Sequence, residues 1–72
     1  APLPGERIDM ALLHAKMATE YKGERIAVRE MRKHVAWYVR GLREAARLRA
    51  GINQAESLKD LEETLLAFKA RL

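Results

Sequence analysis

A chain of 72 residues is long enough for one domain, and a domain of this size buries only about 60% of its unfolded surface. The absence of cysteine and the presence of only two histidines exclude a disulfide framework and a closed zinc site, which needs more nitrogen or sulfur ligands. The net charge of +4 is concentrated in residues 22–50, which carry +6, whereas residues 1–21 and 51–72 carry −1 each; the middle of the chain therefore suits a polyanionic partner.

The chain begins with Ala-Pro-Leu-Pro-Gly, which lacks the apolar stretch of a signal peptide, and we interpret residues 1–5 as a linker from a preceding domain. A helix is predicted from about Glu6 to Tyr21, and Gly23 ends it. Helical spacing places Met10, Leu13, Met17 and Tyr21 in one apolar row, and Tyr21 is interpreted as a core residue. The opposite side is also rather apolar and holds Ile8, Leu12, Ala15 and Thr19. Such a helix is either central in a bundle or docked on something outside this chain.

A second helix is predicted from Glu24 or Arg25 to Arg40, closed by Gly41. Its predicted core face comprises Val28, Met31, Val35, Tyr38 and Val39. The side opposite this face holds Arg29, Lys33, Ala36, Trp37 and Arg40. Cations beside an exposed aromatic ring suit an RNA backbone with an unstacked base, but an exposed tryptophan equally marks a protein interface. His34 lies at the edge of the core face, either as a half-buried structural residue or as a contact to phosphate or ribose.

A short third helix is predicted from about Arg43 to Asn53. Ala45, Leu48 and Ile52 face inward in this prediction. Arg43 and Arg47 project from the other side, and Arg49 lies near the edge of the core.

The fourth helix is predicted to begin after Ser57, with Asp60 three positions later as the capping-box partner. Its apolar face comprises Leu58, Leu61, Leu65, Phe68 and Leu72. Because the chain shows no strand-like alternation, the predicted fold class is all-α, a compact four-helix bundle with short loops.

Few residues could carry catalysis. The chain has no cysteine nucleophile, and its one serine, Ser57, is assigned to a helix cap. His14 and His34 lack a patterned carboxylate partner, and Glu62 and Glu63 are adjacent, so they point about 100° apart on a helix. No glycine-rich loop follows a strand, which leaves no nucleotide cradle. We therefore expect this chain to be no enzyme by itself and to hold no catalytic, cofactor-binding or metal-binding residue.

The basic second helix belongs to a longer pattern of residues. The pattern comprises Met31-Arg-Lys-His-Val-Ala-Trp-Tyr38, Gly41-Leu42, Ala45-Ala46-Arg47-Leu48-Arg49 and Ile52-Asn53. It resembles the C-terminal domain of bacterial tRNA-dihydrouridine synthases, with the B-type branch as the nearest match, and the resemblance covers nearly the whole chain from Leu3 onward. Where many members read Gly-Leu-Pro-Gly, this chain reads Gly41-Leu42-Arg43-Glu44, which replaces a proline of that turn by a cation.

The resemblance implies a two-part parent enzyme. In it a (β/α)₈ barrel holds FMN, and hydride derived from NADPH reduces a uridine of tRNA with the help of a barrel cysteine. Residues 6–72 are then the tRNA-binding domain, with tRNA and the barrel as partners and with no cofactor of its own. The resemblance carries over Arg32, Lys33 and His34 as RNA contacts. The charge and aromatic pattern adds Arg29, Trp37, Arg40, Arg43, Arg47 and Arg49.

The main alternative is a helical interaction domain, in which the first helix and Trp37 dock on another protein and the arginines only solubilise the surface. A DNA-binding helix-turn-helix fits poorly, because the residues after Gly41 supply no short recognition helix with base-reading Asn or Gln. No apolar run approaches the roughly 18 residues of a membrane span, so we expect no membrane partner and take the cytoplasm as the default compartment.

Overall fold

The computed structural model describes residues 2–72, which fold into four helices without a strand. The helices are α1 (Pro4–Lys22), α2 (Glu24–Tyr38), α3 (Ala45–Asn53) and α4 (Leu58–Ala70). Both α1 and α3 pack against α2 and α4. The predicted all-α bundle is confirmed. Of the linker predicted for residues 1–5, Ala1 lies outside the described residues, and Pro4 and Gly5 already belong to α1.

Local sequence signals place the ends of α1. The helix begins two residues earlier than predicted because Pro4 fits the first helical turn, where its missing N–H costs no hydrogen bond. The Glu6 carboxylate accepts the Leu3 N–H at 2.9 Å. Gly23 has a φ of +88°, and its N–H donates to the Thr19 carbonyl at 2.9 Å, so one glycine turns the chain from α1 into α2.

The other helix ends follow the prediction to within two residues. α2 ends at Tyr38, and Gly41, with a φ of +78°, lies in the turn that leads to α3. α3 begins two residues later than predicted. The Ser57 cap of α4 is confirmed, since the Asp60 N–H donates to Ser57 Oγ at 3.1 Å. The Asp60 carboxylate accepts the N–H of Glu56 at 3.1 Å rather than that of Ser57, so the reciprocal bond of a capping box is displaced by one residue.

The core faces predicted for α2, α3 and α4 are largely confirmed. Their buried side chains include Val28, Met31, Val35, Val39, Ala45, Leu48, Ile52, Leu61, Leu65 and Phe68. Tyr38 and Leu58 are half-buried and pack against this core. Leu72 is 50% exposed, because α4 ends at Ala70 and the last residue no longer follows the helical repeat; its assignment to the core was wrong.

The two apolar sides of α1 have different surroundings. Met10, Leu13 and Met17 are 49%, 58% and 58% exposed, and Tyr21 is 88% exposed, so the interpretation of Tyr21 as a core residue was wrong. The buried side of α1 is the opposite one, which holds Ile8, Ala11 and Ala15. Small side chains let helix axes approach closely, and α1 must fit against both α2 and α4, so the alanine side packs inward.

Candidate nucleic-acid interface

Three exposed cations follow one line along the solvent side of α2. Arg25, Arg29 and Lys33 are spaced four residues apart, and neighbours at this spacing have Cβ atoms about 5–6 Å from each other on a helix. Ion pairs within residues 2–72 join Lys22 to Glu30, Arg47 to Glu44 and Lys69 to Asp9, and none of them involves these three cations. We call Arg25, Arg29 and Lys33 the α2 basic face.

Arg32 lies beside the α2 basic face but has a structural contact of its own. Its guanidinium donates to the Ala55 carbonyl at 2.7 Å, which ties α2 to the turn between α3 and α4. Arg25, Arg29 and Arg32 line a common cleft. A guanidinium has five N–H donors, so Arg32 retains donors for an anion in this cleft.

Two carboxylates line the same cleft as these arginines, those of Glu24 and Glu56. The Glu24 carboxylate accepts the Leu58 N–H at 3.0 Å and thereby serves the N-terminus of α4. Neither carboxylate forms an ion pair with an arginine of the cleft. Charge in the cleft is therefore positive on balance, although not uniformly so.

His34 and Trp37 lie on the flank of α2 that faces α1. The rings of His34 and His14 are 4.9 Å apart at their centroids, and His14 Nδ1 lies 3.0 Å from the Tyr38 hydroxyl. His34 is exposed, and Trp37 is 73% exposed. Both line a shallow cleft with Tyr38. Trp37 thus stands between the α2 basic face and the surface of α1.

Glu30, the carboxylate on α2 next to the α2 basic face, is paired with α1. Lys22 Nζ lies 2.8 and 3.0 Å from its two carboxylate oxygens. This hydrogen bond lowers the pKa of Glu30 below its ordinary value of 4.5, and the charge of Lys22 acts in the same direction. The pairing offsets the negative charge closest to Lys33 on its own helix.

The remaining residues that we predicted to contact RNA lie at the end of the bundle and on α3. Arg40 follows α2, and its backbone carbonyl accepts from the Arg7 guanidinium at 2.6 Å. Arg43 shares a cleft with Phe68 and Arg71, near the C-terminal end of α4. Arg40 and Arg43 therefore lie at the end of the bundle rather than on the solvent side of α2.

The two arginines of α3 point to opposite sides of that helix. A side chain on Gly51 would meet Thr64 of α4 at 3.2 Å, so this side of α3 faces α4. Arg47 is one turn before Gly51 and shares its side, where it pairs with Glu44 at 3.5 Å. Arg49 is two residues from Gly51 and lies away from α4. Arg49 is exposed.

The structure therefore brings Arg29, Arg32 and Lys33 together and divides the other predicted residues among neighbouring surfaces. Sequence reasoning missed Arg25, although its spacing of four residues from Arg29 was a usable signal. It also missed Arg7 and Arg71, which are far from Arg40 and Arg43 in sequence and approach them only in the folded chain.

At the starts of α1 and α4, the side chains of Glu6, Glu24 and Ser57 accept backbone N–H groups. The described residues contain no cluster of three or more His, Asp or Glu side chains placed to hold a metal ion. None of the helices in residues 2–72 combines the length and apolar character needed to span a bilayer.

Comparison with known proteins identifies relatives of the chain. The sequence model of the family described as dihydrouridine synthase (Dus) matches residues 1–72. Similar curated proteins include a probable tRNA-dihydrouridine synthase of Rickettsia conorii, 31% identical over 68 residues, which cover 94% of this chain and 20% of the relative. Proteins with this description from Synechocystis (numbered 1) and Mycobacterium leprae are 37% and 32% identical, each over 65 residues, which cover 90% and 86% of this chain and 18% and 17% of the relatives.

The chain spans about a fifth of the length of these curated relatives. No solved structure matches it significantly. Since the family match extends over every residue, the chain belongs to the dihydrouridine synthase family.

Proposed function

We propose that this chain is the C-terminal tRNA-binding domain of a tRNA-dihydrouridine synthase. The parent enzyme would use FMN and NADPH in a separate barrel to reduce a uridine of tRNA, in the cytoplasm, and this segment would supply no catalytic residue. Its helical fold supports that position, because a 72-residue piece of a (β/α)₈ barrel would contain parallel strands and residues 2–72 contain none. The names of the similar proteins support tRNA as the partner.

The observation that carries the proposal is the α2 basic face. Helical RNA hides its base edges in a deep, narrow groove, so a protein that binds folded tRNA mainly contacts phosphates and ribose hydroxyls. Cations in a line along one helix suit a phosphate backbone, and the cations of the α2 basic face have no carboxylate partner within the described residues. Arg32 flanks this line in the cleft that it shares with Arg25 and Arg29, and His34 and Trp37 flank it on the side of α1.

The test is a set of charge reversals in a gel-shift titration with bulk tRNA at low salt. Lys33→Glu and Arg29→Glu should each weaken binding by about 1–2 kcal/mol, or about 5- to 30-fold, because each removes a phosphate contact and adds repulsion. Lys59→Glu, on the exposed side of α4, is the matched control, and circular dichroism verifies that each variant is folded. Losses for Lys33→Glu no larger than those for Lys59→Glu would contradict the proposal.

The alternative is an interaction domain without direct RNA contact. The observation that favours it is the exposed apolar side of α1, which is unusual for a helix that has already buried its other side. This alternative predicts no retarded tRNA band even at low salt. A retarded band that the α2 charge reversals abolish would exclude it as the sole function.

A further inference from the structure

The solvent side of α1 is an apolar surface without a partner in the described residues. Met10, Leu13, Met17 and Tyr21 lie within about 80° of one another around the helix, and each is between 49% and 88% exposed. We call these four residues the α1 apolar face. Single exposed hydrophobic residues are normal on a protein, but several in one row mark an interaction site.

This face continues onto α2. Met10, Leu13 and Met17 line a groove together with His14 and Tyr38. Tyr38 also lines the neighbouring cleft that contains Trp37. Trp37 therefore lies at the far edge of one continuous apolar and aromatic surface. Methionine and aromatic side chains are enriched in protein interfaces, and this surface contains both.

We infer that the α1 apolar face is the surface on which the catalytic barrel of the parent protein docks, an inference that rests on the proposed function. The chain spans about a fifth of its curated relatives, so most of a family member lies outside it. In the proposed parent protein the barrel precedes this segment, so the polypeptide connects the barrel directly to α1, the helix that carries the α1 apolar face. The covalent connection keeps the barrel at a high local concentration, so an interface of only about 600–1,500 Å² suffices.

The charges around the face favour a protein occupant over RNA. Glu6 and Glu20 lie on the same side of α1, at the two ends of the apolar row, and both are exposed. Two lysines also border the row: Lys16 is exposed, and Lys22 is paired with Glu30. Carboxylates in these positions repel phosphates, whereas arginines and lysines of a protein partner would pair with them. The α1 apolar face and the α2 basic face thus serve different partners and meet at Trp37.

The three methionines of the segment provide the test. Met10 and Met17 are on the face, whereas Met31 is fully buried in the core and reports on the fold. In the full-length parent protein under dilute hydrogen peroxide, we expect Met10 and Met17 to be oxidised nearly as slowly as Met31, as measured by peptide mass spectrometry.

Leu13→Glu should accelerate oxidation of Met10 and Met17 by roughly tenfold and leave the oxidation rate of Met31 unchanged, because it opens the interface without disturbing the core. Leu66→Glu is the matched control, since Leu66 is 51% exposed on α4, and it should change none of the three rates.

Rapid oxidation of Met10 and Met17 in the unmodified full-length protein would overturn the inference. Protection that disappears on dilution would assign the face to a second copy of the protein, and protection that requires added tRNA would assign it to RNA; either result overturns docking of the barrel. The experiments distinguish failure of the proposed RNA binding from failure of the proposed barrel docking. Lys33→Glu tests RNA binding and leaves Met10 and Met17 protected, whereas Leu13→Glu tests docking and leaves the cations of α2 in place.

Discussion

Glu44 is the one non-glycine residue within residues 2–72 whose backbone lies in the left-handed region, at φ +62° and ψ +19°. It precedes α3, and its carbonyl accepts the Leu48 N–H at 3.1 Å. Many members of the family that the sequence resembles have glycine at this position, in Gly-Leu-Pro-Gly, which suits this conformation because a Cβ is disfavoured in it. In this chain Glu44 adopts the left-handed conformation in spite of that strain.

Replacing this residue should relieve the strain. We expect Glu44→Gly to raise the free energy of unfolding by about 0.5–1 kcal/mol. The substitution removes about 1–2 kcal/mol of left-handed strain, and the greater conformational freedom of glycine in the unfolded chain offsets part of this gain. The exposed pair with Arg47 at 3.5 Å contributes little. Thermal unfolding followed by circular dichroism measures the gain. Glu44→Ala loses the same ion pair but keeps a Cβ, and an equal gain in that variant would refute the explanation.

At the scale of helices, α1 and α2 are joined by Gly23 and by the ion pair between Lys22 and Glu30. The hydrogen bond from Lys22 lowers the pKa of Glu30 below 4.5 in the folded protein. The ion pair therefore stabilises the folded protein fully at a pH above the ordinary pKa of glutamate. This stabilisation is lost as the pH falls through the lowered pKa of Glu30.

Acid titration of stability checks this contact. Between pH 6 and pH 3 the unfolding midpoint of the native sequence should fall more steeply than that of Glu30→Gln, because the glutamine variant has no carboxylate to protonate. Lys22→Gln should flatten the curve in the same region, since it removes the group that lowers the pKa. Parallel curves for all three proteins would show that the pair contributes nothing.

At the scale of the whole molecule, positive charge is unevenly distributed. The α2 basic face has no ion-pair partner among the described residues, Arg47 is paired with Glu44, and Arg40 and Arg43 lie at the end of the bundle. A tRNA that contacts the α2 basic face would therefore meet only part of the net charge of +4.

Salt dependence measures how many cations take part. With three phosphate contacts, the plot of log K against log salt concentration should have a slope of roughly −2 to −3. Lys33→Glu should make that slope shallower by about 1, and Arg47→Glu should hardly alter it because Arg47 lies on the side of α3 that faces α4, away from the α2 basic face. A steep slope that Lys33→Glu leaves unchanged would place the RNA contacts elsewhere on the surface.

The sequence by itself determined the helices and most of their inward faces. Gly23, Gly41 and Ser57 act locally through backbone freedom and capping, so these signals can be located without knowledge of the fold. In α2, α3 and α4 only one side is strongly apolar, and helical periodicity therefore identified the buried residues.

Only the tertiary structure decided which side of α1 is buried and how the cations divide. Periodicity cannot choose between two apolar sides, and the choice depends on how closely Ala11 and Ala15 let α1 approach its neighbours. The bond from Arg32 to the Ala55 carbonyl and the separation of Arg47 from the α2 basic face depend likewise on how α3 and α4 pack. The physical reason is that local signals act over one or two turns of a helix, whereas contacts between helices depend on the shapes of both surfaces.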